Sequence, residues 1–284
     1  MTLNSIIALM RIEQYIKNVF IFLPIFFSLK ISDTSLLLPS IIAFIAFSMV
    51  ASAVYIINDL HDIDEDKDHP IKKHRPLASG IIRKNHAVII MLALLTFGTL
   101  LILSLSLKAS LIIAIYFFMN IAYTFYLKQI AIVDVNIISI GFVLRLFVGS
   151  SVTNIILSKW IIIMTFLLSL FLALSKRRDD VIIYSDTGRK MRKSIDGYNL
   201  EFLDASMSIM ASVVIVAYTI YTASFNSEYL YLTTFFVILG ILRYLKIALV
   251  HKNSGSPTRI VNGDRFMKLI LIGWVVSFGL ILYL

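Results

Sequence analysis

The sequence predicts an all-α integral membrane protein, a nine-transmembrane-helix bundle forming one polytopic domain over residues 1–284. Composition is the first reason. The chain is 59% hydrophobic and 15% charged, with a mean hydropathy of +0.88, whereas soluble domains are nearer half apolar and a quarter charged. Apolar stretches of membrane-spanning length recur along it, and the basic residues divide unequally among the linkers. Cysteine is absent, which excludes a disulfide framework and a thiolate metal site.

A hydrocarbon core of ~30 Å takes about 20 mostly apolar residues per helix. The first span covers 14–30; Arg11 and Lys17 interrupt its start and no small-residue cleavage site follows, so it is not a cleavable signal. The second, 36–58, runs into an acidic stretch. The third and fourth, 86–107 and 109–127, are separated only by "LKAS" and form a tight hairpin. The fifth, 133–151, carries Arg145 in its interior. The remaining spans are 159–175, 205–225, 229–248 and 267–284. Linkers at 31–35, around Lys108, 152–158 and 226–228 are short, whereas 59–85, 176–204 and 249–266 are long and polar.

Of the 26 Lys and Arg residues, all but Lys30, Lys108, Lys159 and Arg145 lie on the side of the N-terminus and the long loops. The positive-inside rule places that side in the cytoplasm and the C-terminus outside. The expectation is a multi-pass protein of the plasma (inner) membrane with its polar, chemically active face cytoplasmic. The net charge of +9 then reflects topology and anionic headgroups, not nucleic acid. A homo-oligomer is left open by the sequence.

The acidic stretch is "NDLHDIDEDKDHP", residues 58–70. Asn58, Asp62 and Asp66 stand at i, i+4 and i+8, so a helix continued past the interface projects all three from one face, with Asp59 beside it. Like charges at that spacing disfavour a helix unless a cation joins them. Carboxylate and amide oxygens are hard ligands suited to Mg²⁺, which commonly bridges to substrate phosphate. An EF-hand is excluded because Lys67 and Lys73 stand where Gly and Glu are required. The plainer alternative is a solvated acidic cap with no ligand. Asp64 and Asp68 belong to the solvent side. The basic segment "PIKKHRPLASG", with Lys72 and Arg75, supplies the cations a diphosphate substrate needs beside a metal.

"NDLHDIDEDKDHP" followed by "KKHRPLASG" resembles the NDxxDxxxD signature of the UbiA superfamily of intramembrane prenyltransferases. The resemblance implies a UbiA-type helical bundle, with Mg²⁺ and a diphosphate bound at Asn58, Asp62 and Asp66. Most such prenyltransferases carry a second motif, DxxxD, after the sixth span. Here that loop reads "SKRRDDVIIYSDTGRKMRKSIDGYNLEFLD", and no two of its aspartates are four apart. "RIEQYIKN", "YTFYLK", "GFVLRLFVG", "LALSKRRDD", "YNLEFLD" and "SPTRIVNGDR" instead resemble the polyprenyl-phosphate (decaprenyl-phosphate) phosphoribosyltransferase branch. That branch implies 5-phosphoribosyl diphosphate as donor and a polyprenyl phosphate lipid as acceptor. The product is a polyprenylphosphoryl-5-phosphoribose for cell-envelope glycan synthesis, with diphosphate released. A prenyl transfer to an aromatic or other small acceptor is the enzymatic alternative. An ion-binding transporter or scaffold is disfavoured by the sparse intramembrane charge.

On this view Asp62, Asp66, Asn58 and Asp59 form the catalytic group, with Asp59 as supporting ligand or outer-shell carboxylate. Lys17 and Asn18 are expected at a phosphate, and Arg11, on the same stripe, either joins them or anchors at headgroups. Tyr123 and Lys128 close the fourth span, and Lys128 either contacts diphosphate or anchors the helix, with Asp134 in reach to pair with it. Arg145 lies roughly 15 Å along the helix from Asp134, where an arginine costs ~2.5–3.5 kcal/mol on insertion scales. It either anchors a phosphate or belongs to a buried salt bridge. Lys176 and Arg177 are the expected holders of the sugar 5-phosphate, with Tyr198 and Asp204 as ribose partners.

Overall fold

Inside a bilayer only helices or closed barrels satisfy every backbone polar group, and apolar runs of this length resolve as helices. The computed structural model describes residues 2–68, 72–188, 193–225, 227–251, 260–261 and 263–283. Among the described residues there is no strand.

Helix α1 (Leu3–Met10) opens on a capping box between Thr2 and Ser5 and stops at Arg11, whose left-handed backbone (φ 53°) cannot continue it. A 3₁₀ segment, Ile12–Phe22, and the short α2 (Leu23–Phe27) follow. Helix α3 (Thr34–His61) is capped by Asp33 and is followed by α4 (Ile63–Lys67). Next come α5 (Lys84–Leu103), α6 (Leu107–Phe125) and α7 (Val133–Thr153). Helix α8 (Lys159–Thr187) starts at a Ser158 cap and ends at Gly188 in the left-handed region. Helix α9 (Leu200–Ala223) is capped by Asn199, α10 (Thr234–Leu245) runs into a π turn at Lys246–Val250, and α11 (Arg265–Tyr283) closes the chain.

Eight helical stretches among the described residues are long and apolar enough to cross a membrane, and they correspond to the second to ninth expected spans. The first expected span, 14–30, is not one α-helix. Arg11 breaks the chain before it, Pro24 starts α2, and Leu29 adopts φ 61° at its end. At about 2.0 Å per 3₁₀ residue and 1.5 Å per α residue, the 3₁₀ segment and α2 still extend roughly 30 Å. Helix α8 also continues well beyond the expected end at 175, so much of the long polar loop is helical.

The chain divides into two compact units, residues 1–127 with 141–157, and 128–140 with 158–284; α7 lends its first turns to the second unit and its remainder to the first. In the first, α3 packs against α1, the 3₁₀ segment, α5 and α6 around Phe47, Val50, Ile21 and Ile113. Two glycines make this possible. A Cβ at Gly98 would stand 3.0 Å from the Ala46 carbonyl, and one at Gly149 only 2.0 Å from the Ile21 carbonyl. In the second, α8 packs on α9, and α10 on α9 and α11, around Phe171, Leu203, Met207 and Ile241. Phe97, Leu100, Leu111, Phe118, Leu269 and Ile272 are exposed on outer faces, as a lipid solvent permits.

Candidate functional site

The acidic stretch forms across the junction of α3 and α4. Asp62 caps α3, yet its amide bonds the Asn58 carbonyl (2.9 Å) and the Asp66 amide bonds the Asp62 carbonyl (2.8 Å), so helical spacing carries through. Asn58 Nδ2 donates to Asp62 Oδ2 at 3.0 Å, and Asp62 Oδ1 meets His61 Nδ1 at 2.7 Å. Thr124 Oγ1, on α6, points at Asn58 Oδ1 from 3.5 Å. Asp59 and Asp66 are each 2% exposed, and buried carboxylates need cationic or hydrogen-bonding partners. Arg75 Nη1 bridges both, at 3.1 Å from Asp59 Oδ1 and 2.6 Å from Asp66 Oδ2. Lys72 Nζ adds a contact to Asp66 at 3.7 Å, and Arg11 pairs with Asp59 while lying over the Tyr55 ring. Asp64 and Asp68 are exposed, as expected from their spacing, and Asp64 pairs with Lys67 at 2.9 Å.

Among the described residues no three His, Cys, Asp or Glu side chains group as a metal centre. The expected set of two carboxylates and one amide offers only oxygen donors, which suits Mg²⁺ chemically. Lys72 and Arg75 bind the acids directly instead of standing apart from them. Arg11 is a partner of Asp59 as well as a basic residue near the N-terminus.

Beside α3, Asn18 of the 3₁₀ segment is buried between two partners. Its Nδ2 donates to Ser48 Oγ (2.8 Å), and its Oδ1 accepts from Arg145 Nε (2.8 Å). Both ends of the Asn18 amide thus have partners inside the protein, with one Nδ2 hydrogen beyond the bond to Ser48. Arg145 is 4% exposed. It donates to the Gly141 carbonyl (2.7 Å), and its guanidinium lies 4.7–5.3 Å from the Phe47, Tyr116 and Phe142 ring centres. The salt bridge that sequence offered as its plainer role is absent among the described residues; aromatic faces and neutral oxygens hold it instead.

The second unit changes the expectations most. Asp134 and Arg177 are both fully buried. Arg177 Nε donates to Asp134 Oδ2 (2.5 Å) and its Nη1 to Asp180 (2.8 Å). Ser194 Oγ (3.2 Å) and Tyr198 Oη (2.6 Å) also donate to Asp134. Tyr198 Oη accepts from the Ile132 amide (2.6 Å), where the backbone is left-handed at φ 69°. Burial, then donation to Asp134, holds the Tyr198 hydroxyl above the ordinary tyrosine pKa. Arg177 and Tyr198 thus brace the start of α7 through Asp134. Asp204 accepts from Arg178 Nε at 2.5 Å, while Arg178 also reaches the Ala248 carbonyl. Lys128, Lys176 and Tyr123 are partly buried. Pro70, most of the basic run 189–193 and half of "SPTRIVNGDR" lie outside the described residues.

Sequence reasoning missed Thr124, His61 and Phe125, whose ring meets His61 edge-on at 4.8 Å. Nothing local marks them; only the packing of α6 beside α3 brings them there.

A family model, the UbiA prenyltransferase family, matches residues 20–272. The chain is similar to decaprenyl-phosphate phosphoribosyltransferase of Mycobacterium tuberculosis (strain ATCC 25618 / H37Rv), 27% identical over 97% of this chain and 93% of that protein. It is also similar to the protein of the same name from Corynebacterium glutamicum, 26% identical over 99% of this chain and 87% of that one. A solved UbiA homologue from Archaeoglobus fulgidus, bound to DMAPP and Mg²⁺, shares the fold with a TM-score of 0.72 over 97% of this chain and 99% of that chain, at 16% identity.

Proposed function

The chain belongs to the UbiA prenyltransferase family, and from that membership we propose that it is a Mg²⁺-dependent membrane phosphoribosyltransferase. It transfers the 5-phosphoribosyl group from 5-phosphoribosyl diphosphate to a polyprenyl phosphate of the decaprenyl type. The anomeric C–O bond to diphosphate breaks, an oxygen of the lipid phosphate forms the new bond, and diphosphate leaves. Similarity to decaprenyl-phosphate phosphoribosyltransferases along nearly the whole chain is the observation that carries the choice of substrates.

Asn58, Asp62 and Asp66 would hold the Mg²⁺, which neutralises charge growing on the departing diphosphate. Arg75 and Lys72 bring cations to the same carboxylates, and are suited to the non-bridging diphosphate oxygens. Asp59, paired with Arg11 and Arg75, positions both guanidinium groups. The lipid phosphate is already anionic, so no side chain need remove a proton, and attack opposite the leaving group inverts the anomeric carbon. The distribution of Lys and Arg supports nine crossings of the plasma membrane, an N-terminus in the cytoplasm and chemistry on that side.

Purified protein in detergent, given 5-phosphoribosyl diphosphate, a polyprenyl phosphate and Mg²⁺, is expected to form a lipid-linked phosphoribose. Asp62→Asn is expected to lower the rate at least 10²-fold, the scale of losing one preorganised electrostatic group. An unchanged rate in Asp62→Asn refutes the metal assignment, and consumption of a prenyl diphosphate in place of the phosphoribosyl donor refutes the substrate assignment.

A further inference from the structure

Among the described residues of the second unit, each buried arginine is met by a carboxylate: Arg177 by Asp134 and Asp180, and Arg178 by Asp204. Arg145, in the first unit, is not. It has five N–H donors, and the acceptors around it are Asn18 Oδ1, the Gly141 carbonyl and, at 3.5 Å, Tyr116 Oη. Two donor hydrogens remain, and none of these acceptors carries charge. Lys17, the neighbour of Asn18, is partly buried, feels the charge of Arg145, and makes no hydrogen bond or ion pair with a described residue. Glu13, the acid within electrostatic reach, is exposed and bonded to Gln14.

Arg145 is bonded to Asn18, the chain neighbour of Lys17, and neither cation pairs with a described acid; cations in such a low-dielectric setting call for an anion. The hydrogen bonds from Arg145 to Asn18 and Gly141 fix the guanidinium in advance, while the Lys17 stem is free to adjust. We propose that Lys17 and Arg145 form a binding site for a phosphate monoester. A monoester is doubly charged near neutral pH, its second pKa being ≈ 6, and so matches two cations. The site is separate from the acidic row: Ser48, which anchors Asn18, precedes Asn58 by ten residues, about 15 Å of helix.

The proposal rests on the phosphoribosyl-transfer reading, in which two monoesters are available: the 5-phosphate of the donor and the terminal phosphate of the lipid. Isothermal titration of the full chain in detergent with ribose 5-phosphate and with geranyl phosphate distinguishes them. Lys17→Gln is expected to bind one of the two at least tenfold more weakly, and Lys17→Arg to retain affinity. The melting temperature without ligand and Mn²⁺ binding should match the wild type, because Lys17 has no hydrogen-bond or ion-pair partner among the described residues to lose. Weakening confined to ribose 5-phosphate assigns the site to the donor, and weakening confined to geranyl phosphate assigns it to the acceptor. Unchanged affinity for both overturns the site, as does a wild type that binds neither while still making lipid-linked product. If the wild type makes no such product but Lys17→Gln loses monoester affinity, the site stands and the phosphoribosyl-transfer reading falls.

Discussion

Replacing Asp134 with Asn separates a structural role for Arg177 from a ligand-binding one. The two residues are fully buried, and Asp134 accepts from Arg177 (2.5 Å), Tyr198 (2.6 Å) and Ser194 (3.2 Å). The change keeps the shape but removes the charge and turns one acceptor into a donor that faces other donors. Removing one partner of a buried ion pair costs about 3–5 kcal/mol. Arg177 keeps Asp180 at 2.8 Å, which places the expectation near the lower end. At ~2–4 °C per kcal/mol for a chain of this size, the melting temperature should fall by about 6–12 °C. Intrinsic tryptophan fluorescence during a thermal ramp in detergent reads this through Trp160 and Trp274. The double variant Asp134→Asn with Arg177→Met should recover much of the loss, because an uncharged pair of similar volume is commonly as stable as the ion pair it replaces. If Asp134→Asn melts within about 2 °C of the wild type and instead loses donor affinity, Arg177 is a ligand residue and the structural assignment is wrong.

Gly149→Ala places a Cβ 2.0 Å from the Ile21 carbonyl, where backbone has to move. The cost should reach or exceed the ~1–3 kcal/mol of overpacking, and Gly98→Ala, whose contacts are 3.0–3.1 Å, should cost less; equal melting temperatures for the two would contradict the packing described. Asp264 caps α11 through the Met267 amide (2.7 Å) and pairs with Arg243. Its hydrogen bond from Arg243 holds the carboxyl below its ordinary pKa of 3.8. A depressed folded pKa contributes stability above the unfolded value that is lost as pH falls through the folded one. The wild type should therefore melt higher than Asp264→Asn at pH 7, by the ≲ 1 kcal/mol of an exposed pair. That gap should close as pH drops below about 3.8, and one that is constant with pH would show that the ionised carboxylate is not its source.

Hydropathy exposed the eight long helices because a bilayer imposes one length and one solvent on all of them. The solvent-facing positions of Asp64 and Asp68 followed from helical spacing alone. The N-terminal stretch was harder, since its winding is set by tertiary partners. Tyr15 bonds Ser52 (2.8 Å) and Asn18 bonds Ser48 (2.8 Å), contacts that local periodicity does not encode.

Charge was the least legible property, because a basic residue after a membrane span satisfies the positive-inside rule whatever else it does. Arg177, Arg178 and Arg145 look alike as letters beside apolar runs. Their environments separate them. The first two are met by Asp134, Asp180 and Asp204, so the protein neutralises those charges itself. For Arg145 it supplies three aromatic rings and neutral oxygens, and sets Lys17 within electrostatic reach. A buried cation left without an acid is costly to the fold, and under the proposed function a phosphate ligand supplies the missing negative charge. The acidic row shows the converse economy. Arg11, Arg75 and Lys72 neutralise Asp59 and Asp66, and Asp62 meets the Asn58 amide and the His61 ring.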